Sequence, residues 1–419
     1  MPAVAPIRSR TARLLLERNA AYEDFFARQA GRLALACREM AQRFLAGGRL
    51  LAFGHGVYAT DAQHVSVEFV HPVIVGKRAL PALDLSMLPA AAVETLVRPW
   101  DIVMGFGPPE GDSEIGRVLA SACHKGAMTF ALPGADADYA VESVSSNPFH
   151  HQEVIEILYH TLWETVHVFF EHQEISSDPG QADFLYPFLA PAVAPPFRAP
   201  IPALEPASPR EQRMPAGMPA LPAESRLYEE VAASIRAKVS DDARLRALVA
   251  EEESAAITRA AAAISARVRA GGKLIIFGNG GSATDANDFA LDCLLPPPGF
   301  RPVPAISLSG EPAILSALAN DIGPEVIFLR QLIAHAQPPD VAVAISTSGG
   351  SRNLLAALEE ASRRNLLTVA LLGYDGGEIL RRGLADHPIV VRSDYIPRIQ
   401  EVQASIYHVI RELLECPDA

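Results

Sequence analysis

The chain has few cysteines and no close pair of them. Cys37, Cys123, Cys293 and Cys416 are scattered over 419 residues without a C-x-x-C spacing. That excludes a disulfide framework and a thiolate metal site, and it predicts reduced thiols in the cytoplasm. No apolar run approaches the roughly 18 residues of a membrane helix, so no membrane partner is expected. Positive charge is scarce too: 36 Lys and Arg against 49 Asp and Glu leave a net charge of -13, the wrong sign for a nucleic-acid footprint. A small anion is not excluded, because a few backbone N–H groups hold a phosphate against an unfavourable overall field. The basic N-terminal stretch MPAVAPIRSRTARLLLERN lacks an apolar signal core and a small-residue cleavage site, and it predicts an ordinary first helix.

What is present suits a globular protein of two domains: hydrophobic residues make up 49% of the chain and charged residues 20%. Proline marks the seam. Twelve of the 34 prolines lie between Pro179 and Pro222, which predicts an extended, partly polyproline linker over 179–223 between domains 1–178 and 224–419. Phe184, Leu185, Tyr186, Phe188 and Leu189 suggest that its first part packs on a domain surface. In the second half, helical stretches at 226–238 and 243–269 lead into KLIIFGN, followed by short apolar runs at 304–309, 341–347, 367–373 and 388–393. The first half offers RLLAFGH, LPALDLS, DIVMGFG, AMTFALPG and YAVESV in the same order. Continuously apolar strands alternating with helices imply an α/β fold with a parallel sheet covered on both faces in each half.

The halves are copies of one another. GGRLLAFGHGVYATDAQHVSVEFVHP (Gly47–Pro72) reappears as GGKLIIFGNGGSATDANDFALDCLLP (Gly271–Pro296). Gln152-Glu153-Val154 with Tyr159-His160 reappears as Gln400-Glu401-Val402 with Tyr407-His408. Two matches in the same order mark a duplication. In the second copy, FGNGGSATDA places Asn279 and Ser282 in a glycine turn at a helix start, which lacks the lysine of a nucleotide-binding P-loop. ISTSGGSRN sets Ser346, Thr347, Ser348 and Ser351 around another glycine turn. One such loop alone is a tight turn or a Ser-rich cap; two at strand ends of one parallel sheet suit a phosphate monoester. The first copy has GFGPPEGDSE in place of the serine run, whose acids repel phosphate and whose prolines remove N–H donors.

The first copy keeps different chemistry. His64 and Glu68 share a helix face, and Gln152 and His160 lie about two turns apart on another helix. Such a set ligates a divalent metal or divides acid and base roles; a His/Glu pair at this spacing is also a common surface feature.

These motifs resemble the SIS (sugar isomerase) domain, and most closely the phosphoheptose isomerases. The resemblance is strongest over Gly272–Leu414, through FGNGGSATDANDFA, LANDIGPEVIFLRQ, ISTSGGSRNLLAALE, LLGYDGGEI and PRIQEVQ. It implies two tandem SIS domains, each a five-stranded parallel sheet flanked by helices. It also implies conversion of a ketose phosphate, of the sedoheptulose 7-phosphate type, to an aldose phosphate by proton transfer between C1 and C2 through an enediol. Carried over, the phosphate positions are Asn279, Ser282, Ser346, Thr347, Ser348 and Ser351, while Asn320 and Asp321 match sugar-contacting positions and Gln400 a substrate-binding one. The base matches Glu68 in the first copy and Asp292 in the second, with His160 and His408 as acid partners. The metal-type set, zinc in some members, reads His64, Glu68, Gln152 and His160 in the first copy and Asp288, Asp292, Gln400 and His408 in the second. Neither a nucleotide nor a redox cofactor is implied, and the family's four-domain assembly implies a homodimer of this chain.

Each copy therefore lacks what the other keeps, which suggests that the second half grips phosphate while the first supplies proton-transfer or metal chemistry. Two alternatives stay open. Asp292 and His408 would let the second half isomerise alone, or both copies would belong to a non-catalytic phosphosugar sensor or a protein-binding adaptor.

Overall fold

The computed structural model describes residues 9–72, 77–174 and 222–415. Among them the first half runs α1 (Arg10–Leu45), β1 (Leu50–Gly54), α2 (Ala59–Val70), β2 (Ala82–Asp84), α3 (Ala90–Leu96), β3 (Ile102–Phe106), α4 (Ser113–His124), β4 (Met128–Leu132), β5 (Tyr139–Ala140) and α5 (Pro148–Glu174). The second half runs α6 (Pro222–Glu252), α7 (Ser254–Arg269), β6 (Leu274–Gly278), α8 (Gly281–Leu294), β7 (Ala305–Ser307), α9 (Pro312–Asp321) and α10 (Ile327–His335). It ends with β8 (Val341–Ser346), α11 (Arg352–Arg363), β9 (Leu367–Gly373), α12 (Gly377–Arg381), β10 (His387–Val391) and α13 (Ile396–Leu413).

Each half holds one five-stranded sheet, ordered β2-β1-β3-β4-β5 and β7-β6-β8-β9-β10. Every strand pair is parallel, with Leu50 opposite Ile102 and Leu274 opposite Val341. β1, β3, β4, β6 and β8 bury every residue, as strands covered on both faces must. In the second half the chain order of the strands reverses between β6 and β8, so the loops leaving those strands flank the crevice where open α/β sheets take ligands. The two phosphate-type motifs occupy those loops.

Two sequence expectations change. The helix expected to break between 238 and 243 continues as α6 to Glu252, where buried Asp242 pairs with Arg246 one turn on at 2.7 Å. The linker expectation, with its packing aromatics, lies outside the described residues except for Pro222 and Ala223, which open α6.

The halves interlock through their long helices. Ala12 and Leu15 of α1 belong to the hydrophobic core around the second sheet, and Val231, Ala232, Ile235 and Val239 of α6 belong to the core around the first. α2 packs on α8 and α5 on α13 across a pseudo-twofold relation. α13 is buried from Pro397 to Leu413. The matching stretch of α5 is buried too, so its Gln152, Glu153, Glu156, His160 and Glu164 lie inside the protein. Polar side chains buried at this density call for a functional account.

Candidate active site

The glycine turn after β6 is shaped by close approach. A Cβ on Gly278 would stand 2.2 Å from the Ser282 carbonyl oxygen, and Gly280 has φ +59°, which only glycine adopts easily. Gly281 opens α8, and a Cβ there would lie 2.0 Å from Gln400 Nε2 and 2.7 Å from His64 Nε2. The second half's anion turn thus touches a first-half histidine directly. Ser282 is buried beside it, while Asn279 is exposed and exchanges hydrogen bonds with Asn353 at 3.0 and 2.9 Å.

The serine turn after β8 is shaped similarly. Buried Ser346 accepts a hydrogen bond from the Gly349 amide at 3.0 Å, and its carbonyl lies 3.4 Å from Gln403 Nε2 on α13. Thr347 is half-buried and Ser348 exposed. Ser351 stands at the N-cap of α11 without a side-chain capping bond, and the Leu354 amide is held by Asn353 Oδ1 at 2.9 Å. An open basin of about 840 Å³ adjoins this turn, lined by Ser348, Gly350, Tyr374, Arg381 and Arg392 among others.

The first half closes the matching place. His55 Nδ1 lies 3.1 Å from Asp112 Oδ2, and Asp112 Oδ1 accepts from the Glu114 and Ile115 amides at 2.7 and 3.1 Å. The amides that would greet an anion at the start of α4 are already held by an internal carboxylate. This agrees with the expectation that the first half does not grip phosphate.

The first half's buried polar residues gather where α2 and α5 meet α8 and α13. His64 Nδ1 lies 3.3 Å from Asp285 Oδ1, and its Nε2 lies 3.2 Å from Gln400 Nε2 and 3.8 Å from Glu68 Oε1. Burial works against charge on His64, and Asp285 overcomes it and raises its basicity. His160 Nδ1 lies 3.0 Å from Glu401 Oε1, and its ring stands 5.2 Å from that of His64. Burial, then the neighbouring His64 and Arg398, hold His160 well below the ordinary histidine range, so it is neutral. Burial pushes the Glu68 carboxyl up to about 7, against the pull of His64. Both Glu68 oxygens, His160 Nε2, Gln400 Oε1 and Glu156 Oε1 are buried without a hydrogen-bond partner among the described residues.

The second cluster behaves differently. His408 Nε2 lies 3.1 Å from Asp292 Oδ2 and 3.6 Å from Asp288 Oδ2, and its Nδ1 lies 3.0 Å from Glu153 Oε1. Burial opposes a charge on His408, yet hydrogen bonds to these carboxylates hold its pKa well above the usual value. Asp288 accepts from Thr60, Gln152 and Tyr407, each at 2.8 Å. His408 thus has carboxylates against both ring nitrogens.

Three sequence assignments are corrected by this geometry. Gln152 does not join His64, Glu68 and His160: it donates to Asp288 in the other cluster, and Gln400 takes its place on His64. The two final helices cross, so each glutamine serves the opposite half. Gln400 accordingly sits between His64 and Gly281 rather than with Asp288, Asp292 and His408. Asn320 and Asp321 are exposed at the end of α9, where Asn320 donates to Asp321 at 2.8 Å, and among the described residues no hydrogen bond joins them to either loop.

Other residues escaped the sequence reading. Glu156 is one: among the described residues, ligand atoms lying within 4.8 Å of one another occur in His64, Glu156 and His160, and in Asp288, Asp292 and His408. Its signal was available, since Gln152, Glu156 and His160 recur every four residues on one helix face. Asp285, Glu153 and Glu401, which orient the three histidines, had only the repeated TDA and QEV to announce them.

The donors fit a divalent cation at the first cluster. Two imidazoles are oriented by carboxylates through Nδ1, and unpartnered carboxylate and amide oxygens converge beside them. Such nitrogen and oxygen donors suit zinc or a similar first-row ion.

Residues 240–373 match the SIS domain family. The chain is 42% identical over 193 residues to a phosphoheptose isomerase of Geobacter sp. (strain M21), an alignment covering 45% of this chain and 96% of the relative. Its fold is similar to the C-terminal domain of glucosamine-fructose-6-phosphate aminotransferase from Francisella tularensis, with TM-score 0.54 and 10% identity over 96% of this chain and 95% of that one. It is likewise similar to tagatose-6-phosphate ketose/aldose isomerase from Escherichia coli, with TM-score 0.51 and 14% identity over 100% of this chain and 95% of that one.

Proposed function

Because the chain belongs to the SIS-domain family, we propose that it is a phosphosugar isomerase of the ketose/aldose type, with one composite site built from both halves. The observation that supports the reading is the close approach of His64 to Gly281, which sets a first-half histidine beside the second half's glycine turn. Ser282, Ser346, Thr347, Ser348 and Ser351, with the amides that open α8 and α11, would hold the phosphate. Glu68 would move the proton between C1 and C2, and a carboxyl poised near neutrality both takes and returns a proton efficiently. His160, with Nδ1 on Glu401 and Nε2 without a partner among the described residues, would help to hold a divalent cation rather than donate a proton to the sugar. A divalent cation held beside it by His64 would add Lewis-acid polarisation of the carbonyl.

Asp292 and His408 are engaged in their own ion-pair cluster, which argues against an independent second site. The seven-carbon ketose phosphate is the first substrate to try, given the relatives' resemblance. A second copy of this chain would cover α9, which buries none of its residues and presents Ile314 and Ile322 beside Asn320 and Asp321.

The test is isomerisation of sedoheptulose 7-phosphate in D2O by Glu68→Gln and Asp292→Asn, read as deuterium at the aldose C2. Glu68→Gln should lose at least about a thousandfold, while Asp292→Asn stays within about tenfold. Loss only in Asp292→Asn sinks the composite site. Tight phosphosugar binding with no exchange in the wild type favours the sensor instead.

A further inference from the structure

We propose that Glu156 is a metal ligand, forming with His64 and His160 a divalent-cation site that leaves Glu68 free to act as the base. The inference rests on the isomerase reading of this site and assigns two tasks to two carboxylates.

His64, Glu156 and His160 offer ligand atoms within 4.8 Å of one another, and Glu68 is not a member of that group. Glu156 Oε1 and His160 Nε2 are both buried and both lack a partner. The two residues are four apart on α5, so their side chains share one face. Asp285, Glu401, Asp61 and Asp288 surround Glu156 with acids, a setting that a bound divalent ion would suit. Asp285 and Glu401 sit on the Nδ1 atoms of the two histidines, which leaves Nε2 as the ligand atom each would offer. Two imidazoles and one carboxylate make a zinc-type set, not a magnesium or calcium one.

The duplicated cluster supplies the contrast. The position matching Glu156 in α13 is Ala404, so that cluster has no third carboxylate on the helix, and His408 Nε2 lies 3.1 Å from Asp292 Oδ2. A carboxylate bound to a cation is a weak proton acceptor, so anchoring through Glu156 preserves the basicity that Glu68 needs.

The experiment is calorimetric titration of chelator-stripped full-length protein with zinc chloride, alongside the visible spectrum of the cobalt-loaded protein. Wild type should show a single tight site. Glu156→Gln should weaken zinc at least about 100-fold and change the cobalt bands, while Glu68→Gln holds zinc within about tenfold. Glu156→Asp, which withdraws the carboxylate by one methylene, serves if the amide variant does not fold. Wild-type zinc affinity in Glu156→Gln, a Glu68→Gln loss as large as that of Glu156→Gln, or absence of a tight wild-type site each overturns the assignment. Isomerase assays on the same samples separate the two claims. Wild type that isomerises without tight zinc sinks the ligand set alone, whereas zinc binding without isomerisation sinks the functional reading alone.

Discussion

Gly281 is the residue at which the two halves come closest to the proposed chemistry. Its missing side chain leaves room for His64 Nε2 and Gln400 Nε2, which a Cβ would crowd to 2.7 and 2.0 Å. Gly281→Ala should therefore cost about 100-fold in kcat/KM, the scale of a displacement near 1 Å in a reacting geometry. The folded state should keep its Tm within a few degrees, because alanine is the better helix former. Unchanged kcat/KM would show that His64 and Gln400 lie outside the reacting geometry. At this scale the motifs named residue types that the structure brings together: the glycine turn meets His64 at Gly281, and His64 neighbours Glu68 and His160. Gln152 and Gln400 were assigned to the wrong partners. Helix spacing says which side chains share a face and is silent on which helix that face meets. Glu156 was overlooked for a related reason, since its importance appears only once His64 arrives from α2.

At the scale of elements, α9 is the exception to the pattern of burial. Its run PAILSALA is apolar, yet no residue of it is buried, and Ile314 and Ile322 are 40% and 57% exposed. Covering such a surface by a second copy fits the proposed homodimer and would bring Asn320 and Asp321 against a neighbouring subunit. Ile322→Asp should convert a two-chain species to a single chain by light scattering; a wild-type mass of 44.9 kDa removes the proposal. The strands were the most legible elements. LLAFG, LIIFG and VAVAIS are too apolar for anything but a strand buried on both faces. α6 was the least legible, because the buried Asp242–Arg246 pair begins in a stretch, VSDDAR, that looks like a turn.

Across the whole molecule, the exchange of α1 and α6 between cores makes the two sheets one structural unit, braced by buried charge. Glu153 accepts from Arg18 Nε at 3.0 Å, from Tyr22 at 2.9 Å and from Ser405 at 2.6 Å, and it faces His408. Burial alone would raise its carboxyl, and Arg18 and His408 overcome that and hold it well below 4.5. The unfolded chain takes up this proton near 4.5 and the folded chain only far lower. Its stabilisation is thus complete above that pH and is lost progressively as the pH falls toward the folded value. Wild-type Tm should fall as acid is added below about pH 4.5. Glu153→Gln should flatten that dependence and cost about 3 to 5 kcal/mol at neutral pH by stranding Arg18 and His408. A variant matching wild type at neutral pH and in acid would show that this network does not join the halves.

The sequence by itself determined two parallel sheets, the succession of their strands along the chain and the glycine and serine turns at strand ends. Apolar runs and glycine turns act within a few residues of chain, so they can be read along it. Only the tertiary structure decided that the glutamines trade partners, that Glu156 joins His64 and His160, and that His408 is tied up in ion pairs. Those outcomes depend on how α2, α5, α8 and α13 pack across the pseudo-twofold, where residues far apart in sequence settle each other's charge and hydrogen bonds.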